Sequence, residues 1–165
     1  LTNNSFQVIR PEVFDINELR LLFINSNKLT VLPKEIGKLN KLWNLQIHNN
    51  FINHIPGKIS KLYKNLEIFD IRNNSVSKLP PEFAIFDESK KLKYFFLNGN
   101  PICKNGWIEN GASHEIKNVI DRADPGSRCT KQCSPYCRFY ELKVKTCLRQ
   151  CNMKECDFQN GVCVV

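Results

Sequence analysis

The chain has 165 residues, 42% of them hydrophobic, a formal charge of +8 at pH 7 and eight cysteines. That length and apolar content can bury a core, and the absence of any run of about 18 apolar residues excludes a membrane-spanning helix within the chain. The apolar residues concentrate before position 103 while all eight cysteines lie between Cys103 and Cys163, which predicts two units of different kinds.

The first unit is periodic. Leu19-x-x-Leu22-x-Ile24-x-x-Asn27-x-Leu29-x-x-Leu32-Pro33 returns as Leu42, Leu45, Ile47, Asn50, Ile52, Ile55, Pro56, then as Leu66, Phe69, Ile71, Asn74, Val76, Leu79, Pro80. A fourth copy, Leu92, Phe95, Leu97, Asn100, Ile102, breaks off. The first leucines are 23, 24 and 26 residues apart, the irregularity expected of surface insertions on a shared scaffold. One period upstream, Leu1, Asn4, Phe6, Ile9, Val13 and Ile16 fall on the same register. With no initiator Met or signal sequence before it, the chain reads as a piece of a longer protein that begins inside a repeat.

Each copy predicts the same three pieces. The alternating Leu22-x-Ile24 is a short strand with one buried face, lying beside its counterparts in a parallel sheet. Asn27, Asn50, Asn74 and Asn100 recur where the chain turns away, and a buried amide there satisfies backbone groups that would otherwise be unpaired. In Pro33 to Leu39, Pro56 to Leu62 and Pro80 to Phe86 the apolar residues stand three apart, which suits a short helical or irregular turn.

Over residues 1–103 this pattern closely resembles the leucine-rich repeat in its variant of about 23 residues, which ends L-x-x-L-P-x-x-I-x-x-L. The resemblance implies an α/β solenoid whose outward strand residues line a concave, partner-binding face. In this sequence they are Leu21, Phe23 and Asn25; Asn44, Gln46 and His48; Ile68, Asp70 and Arg72; Tyr94, Phe96 and Asn98. Five of the twelve are apolar or aromatic, which predicts an exposed protein-binding patch, the competing reading being that other segments or a glycan cover it.

Leu19 to Cys103 carries 11 Lys and 2 Arg against 6 acidic residues. Ten of the lysines, Lys28, Lys34, Lys38, Lys41, Lys58, Lys61, Lys64, Lys78, Lys90 and Lys91, fall in turn and convex positions. Cations and aromatics are thus expected on different faces, which argues against nucleic acid and leaves an acidic polysaccharide as a lesser partner class.

After Leu97 comes Asn98-Gly99-Asn100-Pro101-Ile102-Cys103, resembling the G-N-P-x-C signature that closes extracellular repeat arrays. It implies a cap and linker over 104–132, needed because a last coil otherwise exposes its leucines. Trp107, Ile108, and Ile116, Val119 and Ile120 at helical spacing within Ser113 to Arg122 would supply the apolar cover before Asp124-Pro125-Gly126 turns the chain. Cys103 is assigned to Cys129 as the bond that pins this cap.

The remaining cysteines, Cys133-x3-Cys137-x9-Cys147-x3-Cys151-Asn152-x3-Cys156-x6-Cys163, resemble the Notch-type cysteine repeat over 133–163. Sequence alone allows fifteen pairings of six cysteines. The resemblance implies Cys133 with Cys156, Cys137 with Cys151, and Cys147 with Cys163. Members of that family hold calcium with two aspartates in the last loop, where Gln159 and Val162 stand here. Calcium needs several oxygen ligands with negative charge among them, so a metal-free disulfide knot is expected, with Asn152, Asp157 and Asn160 as a weak remnant calcium site. Zinc sites favour C-x2-C pairs, and the spacings here are three.

An even cysteine set in a short segment predicts disulfides and an extracellular or cell-surface setting. Two glycosylation sequons, at Asn3 and Asn73, agree with it. No catalytic constellation is expected: His114-Glu115 begins a metalloprotease helix, but Asn118 stands where the second histidine belongs, and no serine elbow or phosphate loop occurs. The sequence therefore predicts a non-enzymatic recognition module binding a protein ligand, part of a larger receptor or adhesion protein. The alternatives are a structural spacer and the ectodomain of a transmembrane kinase.

Overall fold

The computed structural model describes residues 1–103 and 113–122, which belong to one compact unit, Leu1–Cys129. Trp107, Ile108, the Asp124 to Gly126 turn, and every cysteine after Cys103, with the Notch-type segment and its remnant ligands Asn152, Asp157 and Asn160, lie outside the described residues.

Four three-residue strands, β1 (Leu21–Phe23), β2 (Asn44–Gln46), β3 (Ile68–Asp70) and β4 (Tyr94–Phe96), form a parallel sheet in chain order. The register sets Leu22 beside Leu45, Leu45 beside Phe69, and Phe69 beside Phe95. These central residues all point inward, as the period-two alternation requires. The chain returns through 3-10 turns at Pro11–Asp15, Lys34–Lys38, Gly57–Leu62 and Pro81–Ile85, the last three each preceded by an extended proline. A 3-10 helix has three residues per turn, so apolar residues three apart project from one side. Ile36 with Leu39, Ile59 with Leu62, and Phe83 with Phe86 are accordingly buried.

The interior is aliphatic in the coils of β1 and β2 and aromatic in those of β3 and β4. Phe69 stacks on Phe95 at 5.3 Å between ring centroids, and Phe83 lies 4.9 Å from Phe95 and 4.7 Å from Phe86. The leading coil departs from the extrapolated register. Phe14 is fully buried and Ile9 buried, whereas Leu1, Phe6 and Ile16 are exposed and Val13 is half-buried. Within this chain that coil has a neighbour on one side only, so fewer of its register positions find a partner surface. In the third coil's return, the turn Pro81–Ile85 and α1 (Phe86–Ser89) pack against α2 (His114–Arg122), which buries Ile116, Val119 and Ile120 as their spacing predicts.

The recurring asparagines join successive coils. Asn74 Nδ2 donates to the Ile47 carbonyl of the preceding coil at 3.0 Å and to the Ile71 carbonyl of its own at 3.0 Å, while its Oδ1 accepts the Ile52 N–H at 2.9 Å. Asn27 repeats the pattern with Leu1, Ile24 and Phe6; Asn50 with Ile24, Ile47 and Leu29; Asn100 with Ile71, Leu97 and Val76. The residue before each is left-handed: Ser26 (φ 58°), Asn49 (φ 55°), Asn73 (φ 52°) and Gly99 (φ 77°). Asparagine tolerates this region better than most residues. At Gly99 a side chain is excluded twice, by the backbone and by the Asn73 carboxamide, into which a Cβ would run.

Replacing Asn74 by Ala should lower unfolding free energy by about 3 kcal/mol, because two carbonyls and an N–H lose a buried partner. Asn74→Asp should cost at least as much at neutral pH and recover part of the loss in acid, since a carboxylate keeps the acceptor but turns a second oxygen toward those carbonyls. Denaturant unfolding at both pH values checks this, and an Asp variant as stable as wild type at neutral pH would refute the assignment.

Candidate interaction surface

Between the inward residues of each strand, outward ones line up in three rows across the sheet. Leu21, Asn44, Ile68 and Tyr94 share the first row, and Phe23, Gln46, Asp70 and Phe96 the second. Asn25, His48, Arg72 and Asn98 form a third just past the strand ends, where the parallel bonding continues through Ser26 N–H to the His48 carbonyl and Asn73 N–H to the Asn98 carbonyl. The topology thus brings the twelve positions onto one face. Two of them are not exposed as expected. Asn44 is 6% and Asp70 3% accessible. Short Asn44 sits between the larger Leu21 and Ile68, with Gln46 Nε2 3.4 Å from its Oδ1, and Asp70 is covered by its own charge partners.

The apolar positions also do not form one cluster. Leu21 and Phe23 sit at the β1 edge and Tyr94 and Phe96 at the β4 edge, with Asn44 and Gln46 between them in the register. Leu21, 45% accessible, is the most open of the group, and Phe23, Ile68, Tyr94 and Phe96 are half-buried.

The β3–β4 half of the face carries an ordered strip that residue types alone did not reveal. Arg72 grips Asp70 with two nitrogens, Nε donating to Oδ1 at 3.0 Å and Nη2 to Oδ2 at 2.6 Å. The Arg72 backbone N–H donates to Oδ1 at 3.1 Å, and His48 Nδ1 lies 3.1 Å from Oδ2. On its other side the guanidinium stands 5.0 Å from the Phe96 ring centroid, and Tyr94 stacks on Phe96 at 6.3 Å. Bidentate pairing fixes the orientation of an arginine as well as its charge, and a cation above an aromatic face adds attraction. Burial by itself would push the Asp70 carboxyl up; the contacts from His48 and Arg72 outweigh it and hold the carboxyl below its ordinary value. A sequence signal existed in Asp70-x-Arg72, since side chains two apart on a strand share a face, but His48 and Phe96 join it only through the register of neighbouring coils.

The expected separation of cations from aromatics fails there, at Arg72 and Phe96, and again where the strands begin. Trp43, 38% accessible, opens onto a groove of about 630 Å³ that Arg20, Lys41, Lys64 and Lys91 also line. Among the described residues, no three His, Cys, Asp or Glu side chains gather as a metal site, and no helix is long and apolar enough to cross a membrane. Asn3 and Asn73, the sequon asparagines, are both exposed, and Cys103 is half-buried.

Family models of the leucine-rich repeat match residues 1–50 and 65–85. Those coils therefore match the leucine-rich repeat. Two bacterial structures share the fold of this coiled array. A leucine-rich-repeat protein of Leptospira interrogans is 30% identical with a TM-score of 0.64, the match covering 75% of this chain and 29% of that one. An internalin of Listeria monocytogenes is 23% identical with a TM-score of 0.55, over 73% of this chain and 31% of that one. The chain therefore spans less than a third of the length of either. No curated protein matches it. The leucine-rich repeat is a protein-interaction fold, and none of these likenesses points to catalysis.

Removing Arg72 should expose how much the strip depends on it. Asp70, depressed in the folded state, contributes stability that is present above its unfolded value of about 3.9 and is lost as pH falls through the lower folded value. In Arg72→Met the carboxylate stays buried with only His48 and the residue-72 backbone N–H as partners, so the variant should be about 2 kcal/mol less stable at pH 7. That deficit should shrink as the pH drops through the carboxylate range. Urea unfolding from pH 7 to pH 3 measures it, and a pH-independent deficit would rule out the charge origin.

Proposed function

We propose that this protein is a secreted or cell-surface recognition module that binds a protein ligand through the concave face of its leucine-rich repeats. The observation that carries the reading is the strip Tyr94, Phe96, Arg72 and Asp70, in which an arginine is held between a buried carboxylate and an aromatic ring before any partner arrives. Arginine and aromatic side chains dominate interface energetics when they are well packed, and a side chain already fixed loses less entropy on binding. Leu21 and Phe23 supply a second apolar contact at the β1 edge, and Gln46, Asn25 and Asn98 the polar contacts between and around them. Asn44 and Asp70, being buried, act on the ligand through Gln46 and Arg72.

The extracellular setting is supported by the even set of cysteines and by the exposure of both sequon asparagines, Asn3 and Asn73. The sequence also favours Cys129 as the partner of Cys103 in a cap over 104–132, and a metal-free Notch-type knot over 133–163 with the pairings given above. Intact mass before and after reduction should account for all eight cysteines as disulfides, and free thiols in the secreted protein would overturn the compartment assignment.

The binding reading is tested by capture from the surface and secreted fractions of the source cell, comparing wild type with Phe96→Asp, Tyr94→Asp and Phe23→Asp. A partner specific to wild type should fall by about tenfold or more with Phe96→Asp, corresponding to the loss of one central anchor. Undiminished recovery by all three variants defeats the concave-face assignment.

A further inference from the structure

We propose a second binding site, for a sulfated or carboxylated polysaccharide, on the ledge where the strands begin. Hydrogen bonds from Trp43 N–H to the Arg20 carbonyl (3.0 Å), Glu67 N–H to Trp43 (2.8 Å) and Lys93 N–H to Glu67 (2.9 Å) set these four residues side by side, one per coil. Lys41, Lys64 and Lys91 come from the chain just before the same strands and join Arg20 and Trp43 in lining the groove of about 630 Å³. Successive coils at a parallel sheet are about 4.8 Å apart, so cations from four coils are gathered along this ledge around Trp43.

Its two acids are already committed. Glu18 pairs with Lys41 at 2.6 Å and Glu67 with Lys93 at 2.8 Å. Among the described residues, Arg20, Lys64 and Lys91 have no carboxylate within salt-bridge reach, so the ledge holds uncompensated positive charge. Such a surface raises the local concentration of polyanions. An exposed indole among ammonium groups selects further: the apolar face of a sugar ring can cover Trp43 while its anionic substituents reach the flanking lysines. A single-stranded nucleic acid wants an aromatic platform for successive bases, and among the described residues Trp43 is the one aromatic lining this groove. The choice of polysaccharide over nucleic acid draws on the extracellular reading; the location of the site does not, and it is separate from the concave face.

The experiment titrates the full disulfide-bonded chain with heparin, with oligo-dT and with polyglutamate at about 0.15 M salt, and repeats the heparin series as salt rises. Heparin should bind tightest. Lys64→Glu with Lys91→Glu should weaken it by about tenfold or more and flatten its salt dependence, because fewer counterions are released. Trp43→Ala should weaken it several-fold and leave the salt slope unchanged. Lys28→Glu with Lys58→Glu, the same charge change elsewhere, should stay within about twofold of wild type. The proposal is overturned if those control reversals cost as much as the ledge reversals, or if oligo-dT or polyglutamate binds as tightly as heparin. Unfolding midpoints verify that each variant is folded, and Phe96→Asp, which tests the concave face, should leave heparin binding intact.

Discussion

Everything built on this chain depends on a backward hydrogen bond. Each of Asn27, Asn50, Asn74 and Asn100 uses one amide to hold the turn of its own coil and to reach a carbonyl and an N–H of the coil before it. Strands only three residues long offer few ladder bonds, and the aliphatic interior fixes distance better than it fixes register. A buried amide with both a donor and an acceptor in use tolerates no slip, since sliding one coil would leave several polar groups unpaired in an apolar interior. The alignment of Ile68 with Tyr94, or of Asp70 with Phe96, is a consequence of that fastening.

From this alignment the surface inherits its chemistry. Single outward residues on isolated strands would be unremarkable surface polarity. Stacked in register, they give a carboxylate that reaches an arginine of its own coil, a histidine of the coil before and, through the arginine, a ring of the coil after. The ledge at the strand beginnings arises in the same way, with Arg20, Trp43, Glu67 and Lys93 contributed by four coils. One solenoid therefore presents two faces of opposite character, one built around a neutralised charge and the other around uncompensated cations.

How far the amino acids alone could be read follows from the range of the forces involved. The inward leucines, the turn asparagines and the apolar residues three apart on the 3-10 side are local patterns, and they placed the strands, the coil joins and the helical turns, including Ile116, Val119 and Ile120 on α2. The twelve concave positions were also readable, because alternation on a strand is local. Their burial was not. Asn44 is covered by neighbours from other coils and Asp70 by Arg72 of its own coil together with His48 of the coil before, and the gathering of Lys41, Lys64 and Lys91 joins residues more than twenty positions apart. The leading coil misled for a related reason: a register extended from complete coils assumes neighbours on both sides, and Phe14 took the interior place expected of Val13.

The asparagine fastening is blind to the side chains it does not touch, because it bonds only to backbone. Inserting or deleting one whole coil would leave every such joint intact and the array foldable, yet a coil placed between the third and fourth would carry Phe96 away from Arg72 and erase the strip. The scaffold can thus lengthen or shorten by duplication at little structural cost while its recognition chemistry is rewritten in a single step. The smallest unit that preserves the strip is three consecutive coils, those that bring His48, Arg72 and Phe96 together.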